Sequence, residues 1–139
     1  MRGLKPFPPE KGFDVTGLMA GKRGLIMGLA NDRSLAWGIA QKLAEHGAEL
    51  AFSYQGEALE KRVRPLAEGV GSPLVVPCDV ADDASIDAAF ARVAETWDGI
   101  DFVVHAIGWA DKAYLRGKYL DTPRQAFLTA LDISCYSFT

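Results

Sequence analysis

Short apolar runs alternate with longer amphipathic stretches along most of this 139-residue chain. Runs of four or five mostly apolar residues predict four β-strands, at Gly24–Met27, Glu49–Ser53, Leu74–Pro77 and Phe102–Ala106. Between the strands, apolar residues recur three or four positions apart, which is the period of a helix. The resulting order, βαβαβαβ, is typical of parallel strands joined by crossover helices.

Residues at the ends of these stretches predict where the helices begin and end. The first helix is expected over Ser34 to His46, and Gly47 ends it as a glycine commonly does. The row of this helix that faces the sheet is predicted to be Leu35, Ile39 and Leu43. Two later helices are predicted to begin at Ser85, as an N-cap, and near Thr122 and Pro123, as cap and first helical residue.

These elements predict an α/β fold with a doubly wound parallel sheet, a Rossmann fold of which the chain supplies the first four βα units. Residues 1–17, with their three prolines, are expected to form an irregular leader, and residues 18–139 the dinucleotide-binding portion. The sheet would end on an open edge at the fourth strand. An autonomous four-stranded domain is one alternative, but because an uncovered edge is unfavourable we expect a part of a longer protein.

Composition narrows the classes of partner. The net charge is −3 and the pI about 5.3, with basic residues scattered among acidic ones, so no nucleic-acid partner is expected. No apolar run approaches the roughly 20 residues of a membrane span. Because the N-terminus also lacks the apolar core of a signal peptide, we expect a cytoplasmic protein with no membrane partner. Cys78 and Cys135 lack metal-ligand spacing, and no metal site is expected.

Ligands of open α/β sheets bind outside the carboxyl ends of the strands, so the loops there carry the candidate chemistry. After the first strand, Gly28 permits a tight turn and Ser34 places a hydroxyl beside the free N–H groups of a helix start. Such a helix end binds a pyrophosphate. Gly38 would let the helix approach the strand or a cofactor closely. The loop lacks the G-x-G-x-x-G fingerprint, and an ordinary turn with a serine cap is the alternative.

The next two loops suit the adenosine end of a dinucleotide. Gln55 stands where an acidic residue commonly binds the ribose hydroxyls of NAD, and being uncharged it does not by itself exclude NADP. Three basic residues follow, which could serve the extra phosphate but are interpreted as a solvated helix face: Lys61, Arg62 and Arg64. After the third strand, Asp79 could accept a hydrogen bond from the adenine amino group, and Val80 could pack on the ring.

The fourth loop is built from small residues and a glycine. In the run from His105 to Ala110, these would let the backbone lie against the nicotinamide ribose without side chains in the way. His105 begins this run, and we interpret it as a histidine whose hydrogen bonds are satisfied within the fold rather than as a catalytic base. Each loop is a weak signal alone, whereas four compatible loops at four successive strand ends favour a dinucleotide site.

Five segments together resemble the bacterial enoyl-acyl carrier protein reductases, a divergent branch of the short-chain dehydrogenase/reductase family. They are GLANDRSLAWG at Gly28–Gly38, AFSYQGEAL at Ala51–Leu59, CDV at Cys78–Val80, DFVVHAIG at Asp101–Gly108 and ISCYSFT at Ile133–Thr139. The resemblance implies a set of cofactor contacts, namely Gly28, Ser34, Leu35, Gln55, Asp79, Val80, Ile107 and Gly108. It also implies that Ala110 faces the acyl substrate. Gln55 is similar to the glutamine of NADH-using members, so NAD is expected over NADP.

The resemblance implies an oxidoreductase of fatty acid biosynthesis that reduces trans-2-enoyl-acyl carrier protein with NADH, as a cytoplasmic homotetramer. The tyrosine and lysine that act in the family are expected beyond Thr139, so no catalytic residue is assigned here and the 139-residue chain alone is expected to be inactive. Two tyrosine–lysine pairs reproduce family spacings but lie too early in the fold: Tyr54 with Lys61, and Tyr114 with Lys118. A ketoacyl reductase and a non-catalytic NAD-binding module remain alternatives.

Overall fold

Four parallel strands form one sheet in the computed structural model, which describes residues 17–72 and 74–139. The strands are β1 (Arg23–Met27), β2 (Glu49–Tyr54), β3 (Val75–Pro77) and β4 (Phe102–His105). Their spatial order is β3-β2-β1-β4 with every pairing parallel, which confirms the predicted fold class. The predicted leader lies outside the described residues except for Gly17.

Helices cover both faces of the sheet. They are α1 (Leu35–Glu45), α2 (Glu57–Gly69), α3 (Asp83–Ala94) and α4 (Arg124–Ser134), with 3₁₀ turns at Lys112–Tyr114, Tyr119–Asp121 and Tyr136–Phe138. Side chains of α1 and α2 pack with one set of strand residues, and α3 packs with the alternate set. This is the doubly wound arrangement, in which a parallel sheet is buried on both sides. Within the described part of the chain, no helix is long and apolar enough to cross a membrane.

The face of α1 that meets the sheet differs from the prediction. Leu35 is 84% exposed and Ile39 is 40% exposed, whereas Ala36 and Ala40 are buried against β1 and β2. Two alanines one turn apart let the helix backbone approach the strands closely, and Leu35 and Ile39 turn outward. Leu43, the third residue of the predicted row, packs against the core as expected, so the prediction was wrong for two of its three residues. The predicted end of the helix is confirmed, since Gly47 has a φ of +92° just beyond the helix.

The N-termini of two helices also lie elsewhere than predicted. Asp82, not Ser85, caps α3, because its side chain accepts a hydrogen bond from the N–H of Ala84. Ser85 lies inside the helix and its hydroxyl instead accepts from the N–H of Asp79 at 2.9 Å. Pro123 rather than Thr122 occupies the cap position of α4. The prediction of Ser85 as the cap was therefore wrong, because its hydroxyl bonds to the loop that follows β3 and not to the start of α3.

Ionic contacts tie the amino ends of the strands together. The Asp101 carboxylate accepts from Lys22 Nζ and from the backbone N–H of Arg23, both at 2.8 Å. The Arg23 guanidinium contacts Glu49 at 3.3 Å and Asp98 at 2.9 Å. The Lys22 ammonium, with the N–H of Arg23, holds the pKa of the Asp101 carboxyl below its usual range. Asp101 therefore joins the start of β1 to the start of β4.

We predict that Asp101→Asn lowers the melting temperature of the intact protein at pH 7. Because the folded-state pKa of Asp101 is lowered, its contribution is fully present above the unfolded-state pKa of about 4 and is lost as the pH falls through the folded value. Thermal unfolding at several pH values should show the difference between variant and parent shrinking as the pH falls below about 4. Asp98→Asn is the control, since that side chain is 96% exposed and its ion pair is screened by solvent. A constant difference at all pH values would contradict the assignment.

Candidate functional site

A cleft of about 300 Å³ lies at the carboxyl ends of the four strands. It is lined by Gly28, Leu29, Ala30, Ser53, Tyr54, Gln55, Leu59, Cys78, Asp79, Val80, Ala106, Ile107, Gly108, Trp109 and Ile133. Residues from all four predicted loops therefore meet in one place. Six of the eight predicted cofactor residues are among them, the exceptions being Ser34 and Leu35.

Gly28 sits at the closest approach of two neighbouring loops. Its φ is +93°, which is unfavourable for any residue with a side chain. A Cβ on this residue would lie 2.1 Å from the carbonyl oxygen of Ala106 and 2.9 Å from the N–H nitrogen of Ile107. The role predicted from sequence, a tight turn off β1, is confirmed, and the absence of a side chain also lets the loop after β4 lie against it.

Ser34 organises the loop that leads into α1. Its hydroxyl oxygen accepts from the N–H groups of Ala30 and Asn31 at 3.1 and 3.0 Å, and it makes no cap hydrogen bond to α1 itself. The Ser34 carbonyl accepts from the N–H of Trp37 at 2.9 Å, whereas the first two N–H groups of α1 have no partner among the described residues. Leu35 begins the helix with its side chain turned outward, which leaves this helix end open to a ligand.

The predicted close approach at Gly38 is not found. Nothing lies within 4 Å of a Cβ built on this residue, so Gly38 does not pack against the strand. The glycine lies on the outward face of α1, away from Ala36 and Ala40. The strand alternative is therefore wrong, whereas the alternative of a close approach to a cofactor stays a prediction.

Gln55 and Asp79 join the ends of β2 and β3 across the cleft. The amide Nε2 of Gln55 donates to Asp79 Oδ2 at 3.1 Å, and the N–H of Ala81 donates to Asp79 Oδ1 at 3.0 Å. The N–H of Asp79 in turn donates to the Ser85 hydroxyl. These contacts fix the carboxylate and leave lone pairs free, since two carboxylate oxygens accept about four hydrogen bonds. Val80 follows beside it and lines the same cleft.

A second set of polar contacts joins the end of β2 to α2. Arg64 Nη2 donates to Glu60 Oε1 at 2.5 Å, and the Tyr54 hydroxyl interacts with the same carboxylate. The bond from Arg64 lowers the pKa of Glu60, whereas burial, followed by the Glu60 charge, raises the pKa of Tyr54. Lys61 and Arg62 are exposed as predicted, but Arg64 is partly buried in this contact. Treating all three basic residues as one solvated face was therefore too coarse.

The loop after β4 is held by α4. The Ser134 hydroxyl accepts from the N–H of Trp109 at 2.9 Å and donates to the Trp109 carbonyl at 3.1 Å. Ile107 and Gly108 lie just before this anchor and line the cleft. Ala110 lies just after it, exposed and outside the cleft lining. Its assignment to an acyl substrate stays a prediction.

His105 is hydrogen bonded within the fold, as predicted. Its Nε2 lies 2.8 Å from the Ser137 hydroxyl, and its ring meets that of Phe138 edge-on at 5.3 Å. Neither tyrosine–lysine pair with family spacing was assigned a catalytic role. Tyr54 ends β2 and Lys61 lies on α2, whereas Tyr114 and Lys118 lie in the segment after β4. Among the described residues, no group of three or more His, Cys, Asp or Glu side chains is arranged to hold a metal ion.

Sequence reasoning missed two walls of the cleft. Cys78 was given no role, yet its thiol is buried there and burial raises its pKa, so it serves as a protonated, apolar surface at neutral pH. Its position directly after β3 was the available signal, since strand ends supply such clefts. Ile133 comes from α4, and nothing in the sequence pattern linked that helix to the other loops.

Comparisons with known proteins agree with the motifs quoted above. Residues 28–139 match the sequence profile of the family described as "Enoyl-(Acyl carrier protein) reductase". Enoyl-[acyl-carrier-protein] reductase [NADH] 2 from Rhizobium meliloti (strain 1021) is 59% identical over 125 residues, which are 90% of this chain and 47% of the relative. The chain thus spans about half the length of the curated relatives it matches.

Solved structures give the same result for the fold. The crystal structure of FabI from Candidatus Liberibacter asiaticus superimposes with a TM-score of 0.86 at 52% identity, covering 88% of this chain and 47% of that one. Enoyl-(acyl-carrier-protein) reductase from Anaplasma phagocytophilum, solved in complex with NAD, gives 0.84 at 54% identity with coverage of 88% and 47%.

We predict that Gly28→Ala destabilises the intact protein by at least about 2 kcal/mol, because it combines a left-handed backbone with a clash against Ala106. Gly38→Ala is the matched control. Its new methyl group meets open space within a helix, so stability should stay equal or rise by up to about 1 kcal/mol. Denaturant unfolding of both variants measures the difference. Equal stabilities would show that the two loops are not in the contact described.

Proposed function

Since the chain belongs to the enoyl-(acyl carrier protein) reductase family, we propose that it is the NADH-binding half of an enzyme that reduces trans-2-enoyl-acyl carrier protein in fatty acid biosynthesis. The observation that carries the proposal is the single cleft in which the loops of four parallel strands meet. The relatives named for NADH and the relative solved with NAD support the choice of cofactor.

The residues present fit a dinucleotide. The open N-terminus of α1, beside Ser34 and Leu35, suits a pyrophosphate, because uncovered N–H groups and the helix dipole both favour an anion. Gly28 turns the chain tightly off β1 toward this helix end, and the backbone just after β4 occupies the space that a side chain would need. At the adenosine end, Asp79 can accept from the adenine amino group while Gln55 presents its carbonyl oxygen to the ribose. This assignment gives the Gln55 amide and the Asp79 carboxylate compatible roles, since one already donates to the other.

The loop after β4 would support the nicotinamide end. Ile107 and Gly108 are held in place by the Ser134 contacts to Trp109, so the backbone lies ready against a ribose. The chemistry that NADH supplies when bound is a hydride for the β-carbon of the enoyl thioester. The role of residues 1–139 is to bind and orient NADH. The tyrosine and lysine that the family uses to stabilise the enolate and hold the ribose are proposed to lie beyond Thr139. Residues 1–139 alone would therefore not catalyse the reaction.

The proposal extends to assembly and location. A homotetramer rests on the family resemblance, and the exposed apolar face of α4 formed by Phe127, Leu128 and Leu131 suits burial against another subunit or a further part of the protein. A cytoplasmic location and an acyl carrier protein-bound substrate rest on the family resemblance. Ala110 is proposed to face that substrate from the end of the same loop.

The test is oxidation of NADH by the intact protein when a trans-2-enoyl thioester is added, followed by absorbance. We expect turnover that requires the enoyl thioester, is absent with a β-ketoacyl thioester and is slower with NADPH. Turnover of the β-ketoacyl substrate would identify a ketoacyl reductase instead. Tight NADH binding without turnover of either substrate would identify a binding module.

We further predict that Asp79→Ala weakens NADH binding by roughly tenfold or more, because a hydrogen bond to a charged group contributes about 1.5–3 kcal/mol. The loss should appear in the Kd for NADH and in KM for NADH, with a smaller change in kcat. Asp98→Ala removes an exposed carboxylate at the opposite end of the sheet and should leave the Kd unchanged. An unchanged Kd in Asp79→Ala would remove this residue from the cofactor site.

A further inference from the structure

Two acidic side chains and an arginine lie on α2, close to the end of β2. Glu57 and Glu60 lie in the first turn of α2, which Gly56 separates from Gln55, and Arg64 lies one turn beyond Glu60. Residues four apart share one side of a helix, and here they form an ion pair at 2.5 Å with side-chain exposures of 43% and 32%. Arg64 does not line the cleft. Its positive charge is engaged by a carboxylate at the edge of the site.

Glu60 also connects Arg64 to the wall of the cleft. The Tyr54 hydroxyl interacts with the Glu60 carboxylate, and Tyr54 itself lines the cleft beside Gln55. After burial, the Glu60 charge is the largest cause that raises the pKa of Tyr54, Glu57 adds to it, and Arg64 opposes it by less than Glu60. At the Tyr54 hydroxyl, the Glu60 carboxylate therefore has a larger effect than the Arg64 guanidinium.

This wall is where the two nicotinamide cofactors differ. In doubly wound folds the adenosine ribose binds at the end of the second strand, and a nearby arginine accommodates the 2′-phosphate of NADP. Side chains of a helix lean toward its N-terminus, so a free Arg64 would extend toward the first turn of α2 and the end of β2. Gln55 carries no charge and cannot by itself distinguish a hydroxyl from a phosphate.

We infer that Glu60 is a specificity-determining residue for the cofactor. Its carboxylate engages Arg64 and, with Glu57, repels a 2′-phosphate at the end of β2, so that NADH binds in preference to NADPH. The inference rests on the proposed function and deepens it. It assigns the preference to an ion pair on α2 rather than to the residue that directly follows the strand.

The experiment measures the Kd values of NADH and NADPH for the intact protein by fluorescence titration, together with kcat/KM for each cofactor. In Glu60→Ala the ratio of the NADPH Kd to the NADH Kd should fall about tenfold, because one guanidinium becomes available to the phosphate and one repulsion is removed. Glu60→Gln keeps a hydrogen-bond acceptor and removes the charge, so its ratio should fall by less. The gain should shrink at high salt.

Two further variants separate specificity from general damage. In Glu60→Ala/Arg64→Ala the ratio should return toward the parent value, because the cation that accepts the phosphate is gone. Glu95→Gln is the matched control: it frees Arg92 from a similar pair at the end of α3, which leads to the amino end of β4, and should leave the ratio unchanged. Thermal unfolding verifies that each variant is folded. If Glu60→Ala does not fold, Glu60→Gln replaces it in the test.

The outcomes are distinguishable. An unchanged ratio in a folded Glu60 variant that still binds NADH would overturn the inference and leave the proposed function intact. A gain in NADPH binding that persists in the double variant would overturn the role of Arg64. Failure of the unmodified protein to bind either dinucleotide would instead contradict the proposed function.

Discussion

The contact between the loops that follow β1 and β4 is the constraint on which the site depends. Parallel pairing carries both chain segments to the same edge of the sheet, and Ala106 continues the ladder by donating its N–H to the Met27 carbonyl at 3.0 Å. At that point the two backbones are too close for any side chain on Gly28. One backbone must therefore turn away with a positive φ. The turn opens the cleft on one side and starts the loop toward α1 on the other.

Much of this arrangement could be predicted from the spacing of apolar residues and from the residues that end each helix and strand. Short apolar runs predicted the positions of the strands. Gly47 predicted the end of α1, because a glycine readily adopts the left-handed conformation found just after many helices. Gln55, Asp79 and Gly108 were placed at the cleft because each lies within three residues of the carboxyl end of a strand. Position along the chain was enough for these residues, since a parallel sheet gathers the ends of its strands regardless of packing detail.

What failed depended on distances that a sequence does not carry. The inner face of α1 is set by how closely the helix lies to the sheet, and that closeness selects Ala36 and Ala40 over the larger Leu35 and Ile39. Ser85 was taken for a cap because serine commonly is one, whereas its partner in the β3 loop is specified by tertiary structure. Arg64 looked like its exposed neighbours until its pairing with Glu60 was visible.

The cleft separates two ways of treating a negatively charged ligand. At the start of α1, uncovered backbone N–H groups offer partial positive charge without a cationic side chain, which suits a pyrophosphate of fixed position. At the end of β2, the Glu60 carboxylate lies beside Tyr54 and is paired with Arg64. A ligand with phosphate at only the first position satisfies both ends, and a ligand with an additional phosphate at the second meets carboxylates. Under our proposal, backbone N–H groups at the start of α1 bind the pyrophosphate, and carboxylate side chains at the end of β2 disfavour the additional phosphate of NADPH.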